Sequence, residues 1–506
     1  MDVNTVARFS IHALCIMLLS IFAHVLRQFL PRSKSEPPIV FHWIPFVGNA
    51  ISYGTDPFVF YSKCREKYGD IFTFVLFGRK MTVYLGLDGN EFILNGRLQD
   101  LNAEEIYSPL TTPVFGKDII YDCPNAKLME QKKFVKFGLT HDSLKSYVQL
   151  IEAEVLEYLQ STPSFSGSLG TVDITAAMAE VTIFTASRAL LGAEVRQKLN
   201  AECAELYHDL DLGFRPINFL MPWAPFPQNR RRDAAHAKMS SIYLDIIAER
   251  RASGKKAPDG QHDMIWHLMD CVYKNGQQIP DLEITRMMIT LLMAGQHSSS
   301  SSSSWIMLRL ASRPDIAEEL YQEQVSNLGR GGLQPLQYED IDKLPLLQNV
   351  VKETLRVHSS IHSLMRKVKN PMHVPNTNYI ITPDKVLVAS PITTHMDTEF
   401  FPDAHVWDPH RWDAHEDEEL EQDIVDYGYG KVSKGTKSPY LPFGAGRHRC
   451  IGERFAYINL CTIIATMVRT LKFATIDGRP TVPPTDYTSL FSRPTQPAVV
   501  RWERRS

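Results

Sequence analysis

The chain has 506 residues, 44% of them hydrophobic and 22% charged, with a formal net charge of −3. That composition excludes a disordered chain, and it lacks the basic excess that nucleic-acid binding leaves in a sequence, so no nucleic-acid partner is expected. The seven cysteines (Cys15, Cys64, Cys123, Cys203, Cys271, Cys450 and Cys461) are scattered, odd in number and free of any C-x-x-C pair. This argues against a disulfide framework or a structural zinc site and points to a reducing compartment around the body of the protein.

The first predicted element is an apolar run from Phe9 to Leu26, broken only by Ser10, His12, Ser20 and His24. Its length is near the lower limit for spanning a bilayer. Arg27, Arg32 and Lys34 follow it, against Arg8 and Asp2 before it, so the positive-inside bias places the large C-terminal part in the cytoplasm. A cleaved secretory signal fits less well, because the basic residues come after the run and no small-x-small site follows. An interfacial amphipathic helix stays open. Pro31, Pro37, Pro38 and Pro45 then make a stiff linker. Residues 1–36 are expected to be anchor and linker, and residues 37–506 one large body.

Ile71 to Leu76 and Met81 to Leu85 are β-type runs around a Phe77-Gly78-Arg79-Lys80 turn, a predicted hairpin. From about Asn90 to about Val351 the apolar period is mainly helical, with surface loops expected at Phe165–Gly170, Ala252–Gln261 and Gly329–Gln337. Asp281 to Ala311 reads as one long helix, started by Pro280-Asp281 and stopped by Ser312-Arg313-Pro314. Seven consecutive serines, Ser298 to Ser304, lie in its middle. A serine linker is the bland alternative. The apolar turns on both sides favour a helix whose small residues let something bulky approach its backbone. Past Leu355 the chain becomes loop-rich, with short strands predicted at Ile380–Val388 and Val499–Trp502. Asp413 to Lys437, acidic and then glycine-rich, is expected to be an exposed, solvated insertion.

The segment richest in chemistry is Phe443-Gly444-Ala445-Gly446-Arg447-His448-Arg449-Cys450-Ile451-Gly452, followed by a helical pattern. Backbone N–H groups at a helix start, with Arg447 and Arg449, favour a thiolate at Cys450. Gly446 and Gly452 leave room for a flat macrocycle, and His448 with the arginines suits its carboxylates. A dinucleotide loop is excluded at the sixth position of G-x-G-x-x-G, which is Arg449, and by the lack of a following strand–helix unit. An ordinary buried cysteine is the other alternative.

The string resembles the haem-binding loop of the cytochrome P-450 superfamily, F-x-x-G-x-[RH]-x-C-x-G, at Phe443, Gly446, His448, Cys450 and Gly452. Glu353-Thr354-Leu355-Arg356 is similar to the family's E-x-x-R, and Pro409-His410-Arg411-Trp412 to its P-x-R-[WF]. The resemblance implies a structural triad of Glu353, Arg356 and Arg411. The long helix departs from the general pattern [AG]-G-x-[DE]-T: Ala294-Gly295-Gln296-His297-Ser298-Ser299 has a histidine for the acid and a serine for the threonine. That variant resembles the sterol 14α-demethylases, and so does Tyr107 to Gly116, running on to Tyr121-Asp122. The likeness runs from about Pro37 to the C-terminus and is closest to the fungal enzymes.

The resemblance implies a mainly α, triangular-prism fold with a small β-rich lobe, and makes residues 37–506 a haem-thiolate catalytic domain. Cys450 would be the axial ligand of iron in haem b, within a loop fixed by Phe443 and Gly446. Tyr107, Tyr121, Lys132, Arg366 and His448 would hold the haem edge. Phe115, Phe219, Ala294, His297, Ser363, Leu490 and Phe491, with Tyr107 and Tyr121, would line the substrate cavity. His297 and Ser298 would relay protons. The implied activity is removal of a sterol 14α-methyl group with O2 and with electrons from an NADPH-dependent reductase, at the endoplasmic reticulum membrane. A haem-thiolate enzyme of other chemistry, or a non-catalytic haem or sterol binder, are the rival readings.

Overall fold

The computed structural model describes the chain apart from residues 1–2, 32, 199–200, 255–262, 330–333, 414–423, 430, 490 and 506. The expected loops at 252–261 and 329–337 therefore fall largely outside the described residues, as does Leu490. The chain forms two compact units, the first made of Met1–Ile106, His362–Thr394 and Thr436–Pro439, the second of Tyr107–Ile361, His395–Gly435 and Tyr440–Ser506.

The first unit is organised by a five-stranded sheet in the spatial order Ile71–Leu76, Arg79–Tyr84, Lys385–Ala389, Leu364–Val368, Leu101–Asn102. The predicted hairpin is present, with Ile71 opposite Tyr84. Its loop is shorter than expected. Phe77 and Gly78 both take positive φ, 47° and 76°, so two residues close the turn and Arg79 and Lys80 join the strand. The expected strand Ile380–Val388 is two strands, Ile380–Ile381 and Lys385–Ala389, split at Thr382–Asp384. Lys385 is buried at the sheet centre, and its ammonium donates to Thr382 Oγ1 at 2.6 Å and lies 3.3 Å from both Glu36 and Asp384. The N-terminal apolar run is one helix, Val3–Gln28, with Ile16, Leu18, Leu19, Phe22 and Leu26 exposed. Its last residue is tied down by a reciprocal pair, Gln28 Nε2 to His42 O at 2.8 Å and His42 N to Gln28 Oε1 at 3.1 Å.

The second unit is mainly helical. Its largest core cluster gathers the apolar stripes of the helices His141–Ser161, Ile174–Ala186, Asp281–Ser312 and Glu453–Thr470. Among the described residues, Ile174–Gln197 is the one helix apolar and long enough to cross a membrane by composition, but 72% of it is buried in the protein, which makes it a core helix. A three-stranded sheet, Leu471–Thr475, Val499–Arg504, Leu169–Asp173, closes one side. The last strand begins inside the stretch expected as a loop. Leu169–Asp173 pairs with Val499–Glu503, and that ladder overrides its weak strand pattern.

The long helix Asp281–Ser312 is continuous through the serines. Ser298, Ser303 and Ser304 donate to the carbonyls four residues back, at 2.8, 2.7 and 2.6 Å, which satisfies their hydroxyls without breaking the helix. Ser301 and Ser302 face protein instead: Ser301 Oγ donates to Ser492 O at 2.7 Å, and Ser302 Oγ is 3.4 Å from Ser360 Oγ. What approaches the serine run closely is the chain's own backbone.

The acidic part of the expected insertion, 414–423, lies outside the described residues; the rest keeps an exposed side, with Ile424, Asp426, Gly428 and Lys431 exposed, but is anchored by one buried side chain. Ile424–Asp426 and Lys431–Ser433 pair as an antiparallel hairpin, and Tyr429 at its turn is 1% exposed in a cluster with Cys123, Leu128 and Met129.

Candidate haem-thiolate site

The loop that carries Cys450 is folded back by its own hydrogen bonds. Gly444 N donates to Leu441 O at 3.1 Å, Arg449 N to Gly446 O at 3.1 Å, and Cys450 N to Phe443 O at 3.0 Å. Gly446 takes a φ of 66°, where a side chain would be strained, and starts a single turn, Gly446–His448. The helix Glu453–Thr470 begins directly after Gly452. Cys450 is open at its surface, yet protein encloses the thiol closely enough that desolvation raises its pKa. Glu453 adds to that rise, while a hydrogen bond from the Gly452 backbone, Lys132 and Arg449 oppose it. A thiol that is both enclosed and open faces an interior space.

The long helix shows the same signature. Ala294 is exposed midway along it, a Cβ built on Gly295 meets nothing within 4 Å, and Gln296 Oε1 is buried without a hydrogen-bond partner. An enclosed thiol, an open helix face and an orphaned polar atom fit a flat cofactor held by sulfur. Ligation would deprotonate the thiol outright and cancel the burial effect.

Two aromatic groups line this unit. Tyr107 and Tyr121 have ring centroids 5.1 Å apart, and His448 lies 5.9 Å from Tyr121. These three expected haem-edge residues are brought together. The second group runs Phe115–Phe214–Phe491–His297. Phe214 is 5.7 Å from Phe115 and 5.6 Å from Phe491, and His297 stacks on Phe491 at 5.4 Å. Phe219, in the turn Pro216–Phe219, packs against the same core. Phe214 was not foreseen, because nothing in Asp211-Leu212-Gly213-Phe214 marks it apart from an ordinary core aromatic.

His297 Nε2 lies 3.4 Å from Asp211 Oδ1, and Arg493 Nη1 is 3.8 Å from the other oxygen. Burial lowers the His297 pKa, Asp211 opposes that, and Arg493 and His208 reinforce it. Ser298 Oγ donates to Ala294 O, so its proton must swing out of the helix to be passed on.

Lys132 Nζ donates to Arg447 O at 2.9 Å and Arg449 O at 3.0 Å, placing the ammonium on the carbonyls that lead into the cysteine. The two arginines expected near the cofactor carboxylates are engaged otherwise. Arg449 pairs with Glu453 at 2.8 Å, and the Arg447 guanidinium lies 4.8 Å from the Tyr427 ring centre. Ser363 and Arg366 belong to the first unit. There Ser363 Oγ meets Tyr61 Oη at 2.8 Å and His362 Nδ1 at 2.8 Å, and Arg366 is buried with one nitrogen on Met365 O.

The expected triad is assembled in the second unit. Glu353 and Arg356 are both fully buried, with Arg356 Nη2 2.7 Å and Nε 2.9 Å from the two carboxylate oxygens. Arg411 Nε is 3.3 Å from Glu353, which also accepts from Asp408 N and Trp412 Nε1, each at 3.1 Å. Arg356 Nη1 reaches His395 O at 2.7 Å and Ala404 O at 2.8 Å. His395, which no motif marks, accepts the Leu441 N–H at its Nε2, 2.7 Å away.

The profile of the cytochrome P450 family matches residues 37–502. The chain is 67% identical to the sterol 14-alpha demethylase CYP51A of Gibberella zeae, over 96% of each chain. It is 64% identical to the sterol 14-alpha demethylase cyp51A of Aspergillus fumigatus, over 97% of this chain and 96% of that one. It is 59% identical to the eburicol 14-alpha-demethylase of Penicillium italicum, over 97% and 96%. A retinoic acid bound cyanobacterial CYP120A1 superposes with a TM-score of 0.77 at 20% identity, covering 94% of this chain and all of that one, a likeness of fold. The chain belongs to the cytochrome P450 family, with its mainly α fold and small β-sheets, and within that family to the sterol 14α-demethylases.

Proposed function

We propose that this chain removes the 14α-methyl group of lanosterol or 24-methylenedihydrolanosterol, in ergosterol biosynthesis, by three successive oxidations. The methyl becomes an alcohol, then an aldehyde, then leaves as formate with a new 14,15 double bond. Each round consumes O2 and two electrons delivered from NADPH by a membrane-bound reductase. The helix Val3–Gln28 would anchor the protein in the endoplasmic reticulum membrane with the body on the cytoplasmic side, where a bulky apolar sterol is dissolved.

The observation that carries this reading is Cys450, enclosed by protein yet open on one face. Haem b, when bound, supplies oxygen activation, which a thiolate ligand promotes by pushing electron density toward the iron. The protein's own residues do the rest. The Cys450 thiolate accepts from the Gly452 backbone. Tyr107, Tyr121 and His448 would grip the cofactor edge, and Lys132 would steady its loop. Phe115, Phe214, Phe219 and Phe491, with Ala294, would exclude water and orient the sterol. His297, uncharged at neutral pH, would take a proton at Nε2 from the Asp211 side and hand it on, with Ser298 Oγ beside it.

Incubation of the purified protein with reductase, NADPH and 14α-methyl sterols tests the reading. A 14-demethylated diene plus formate is expected. A normal reduced-CO band at about 450 nm with no such product would keep the ligand and reject the substrate.

A further inference from the structure

The hairpin 424–433 is not used by the reaction, yet it touches the cysteine loop at several points. Lys434 O accepts the Gly446 N–H at 2.8 Å. Gly435, at a φ of 68°, passes so close that an added Cβ would lie 2.8 Å from Arg449 Nη1. The Tyr429 ring centre is 4.0 Å from Lys132 Nζ, the same ammonium that donates to Arg447 O and Arg449 O. Lys136 Nζ lies 5.6 Å from that ring and donates to Lys431 O in the hairpin at 3.1 Å. Tyr427 stacks on Tyr429 and receives the Arg447 guanidinium. The Tyr429 hydroxyl is buried without a hydrogen-bond partner. A buried tyrosine ordinarily satisfies its hydroxyl. Here the ring face carries the interaction, and the face is what attracts a cation.

We propose that this hairpin is a brace for the thiolate ligand, with Tyr429 as a positioning residue that holds the Lys132 ammonium against the two carbonyls, of Arg447 and Arg449, that lead into Cys450. The inference rests on Cys450 as the axial ligand. Without the ring, the Lys132 ammonium loses the face that packs it against the loop, its hold on the carbonyls of Arg447 and Arg449 loosens, and the loop presents its sulfur less firmly. Phenylalanine keeps the ring and drops only an unused hydroxyl, so Tyr429→Phe should behave like the unsubstituted protein. Tyr429→Leu should not.

The readout is the reduced-CO spectrum of the haem-loaded protein, followed in time as the thiolate band gives way to its blue-shifted successor, together with the ferric–ferrous reduction potential. Y429L is expected to lose the thiolate band about tenfold faster, a factor between those of an exposed and a desolvated cation–π contact, and to shift the potential. Y429F should do neither. Lys132→Met should reproduce the Y429L effect, and the Y429L/K132M pair should be no worse than K132M alone, since both act through one contact. Additive losses, or Y429F behaving like Y429L, would overturn the brace. Should Y429L not fold, Tyr429→Met, which fills the space without a ring face, takes its place under the same criteria. If the unsubstituted protein gives no thiolate band, the ligand assignment fails and this inference with it; a normal band unaffected by Y429L refutes the brace alone.

Discussion

Arg356→Met tests whether the buried triad holds the second unit together. Glu353 and Arg356 are both 0% exposed, so the substitution leaves a carboxylate in the interior with Arg411 as its remaining guanidinium partner, beside the Asp408 and Trp412 N–H donors. Breaking a buried pair from one side costs about 3–5 kcal/mol. The carbonyls of His395 and Ala404 also lose their donor, at roughly 1–3 kcal/mol for each group left unsatisfied. Arg411 compensates part of the charge, so the expected loss is about 4–6 kcal/mol, close to the whole stability of a typical domain. Urea unfolding followed by far-ultraviolet circular dichroism, with haem content measured in parallel, reads it. The double variant E353Q/R356M removes the stranded charge and should recover part of the loss. A shift under about 1 kcal/mol for R356M, or a double variant as damaged as the sum of the singles, would show that the pair is not structural and that this accounting of its burial is wrong.

Three further outcomes follow from the same geometry. Burial and the Arg356 charge lower the His395 pKa from 6.5 to about 3. The unfolded chain therefore binds a proton that the fold refuses, and this contribution is intact above about pH 6.5 and lost as pH falls toward 3; His395→Gln should flatten the acid limb of the urea midpoint, and an unchanged limb would refute a buried neutral histidine. His297→Ala should slow sterol turnover about a hundredfold, as loss of a proton-transfer group does, while a sterol titration of the haem spectrum shows near-normal affinity. Equal losses in both would make His297 a cavity wall. Ser301→Val removes the hydroxyl that holds Ser492 O and should loosen the loop bearing Phe491, costing about 1–3 kcal/mol in urea and weakening sterol binding more than cofactor binding; the reverse order would sever the serine run from the cavity.

The sequence announces groups whose chemistry needs a fixed local order. Cys450 in a glycine-bounded loop before a helix is legible because a thiolate, a positive-φ turn and a helix start must follow one another. Glu353 and Arg356 are legible because helical spacing puts them on one face. What it conceals is pairing across the fold. Phe214, Asp211, His395 and Ser492 belong to the site through contacts with residues 46 to 282 positions away, such as His395 with Leu441 and Asp211 with Arg493, and no local pattern encodes such distances. The strand Leu169–Asp173 is invisible for the same reason, being defined by its partner at the other end of the chain. The anchoring of the insertion is not legible because acidic and glycine content describes its average, while one buried side chain, Tyr429, decides where it packs.

The arrangement also links the deeply buried Glu353–Arg356 pair to the cysteine loop. Arg356 binds the carbonyl of His395, and the imidazole of His395 accepts the Leu441 N–H. Leu441 O holds Gly444 N, and Phe443 O holds Cys450 N. A displacement of the guanidinium is therefore passed to the sulfur through one histidine and a short folded loop. His395 performs this only while uncharged, since a protonated Nε2 is a donor and would repel the Leu441 N–H. The low pKa that burial imposes is thus a condition of the link, and a histidine that titrated near neutrality at this place would make the loop's hold on the sulfur depend on the surrounding pH.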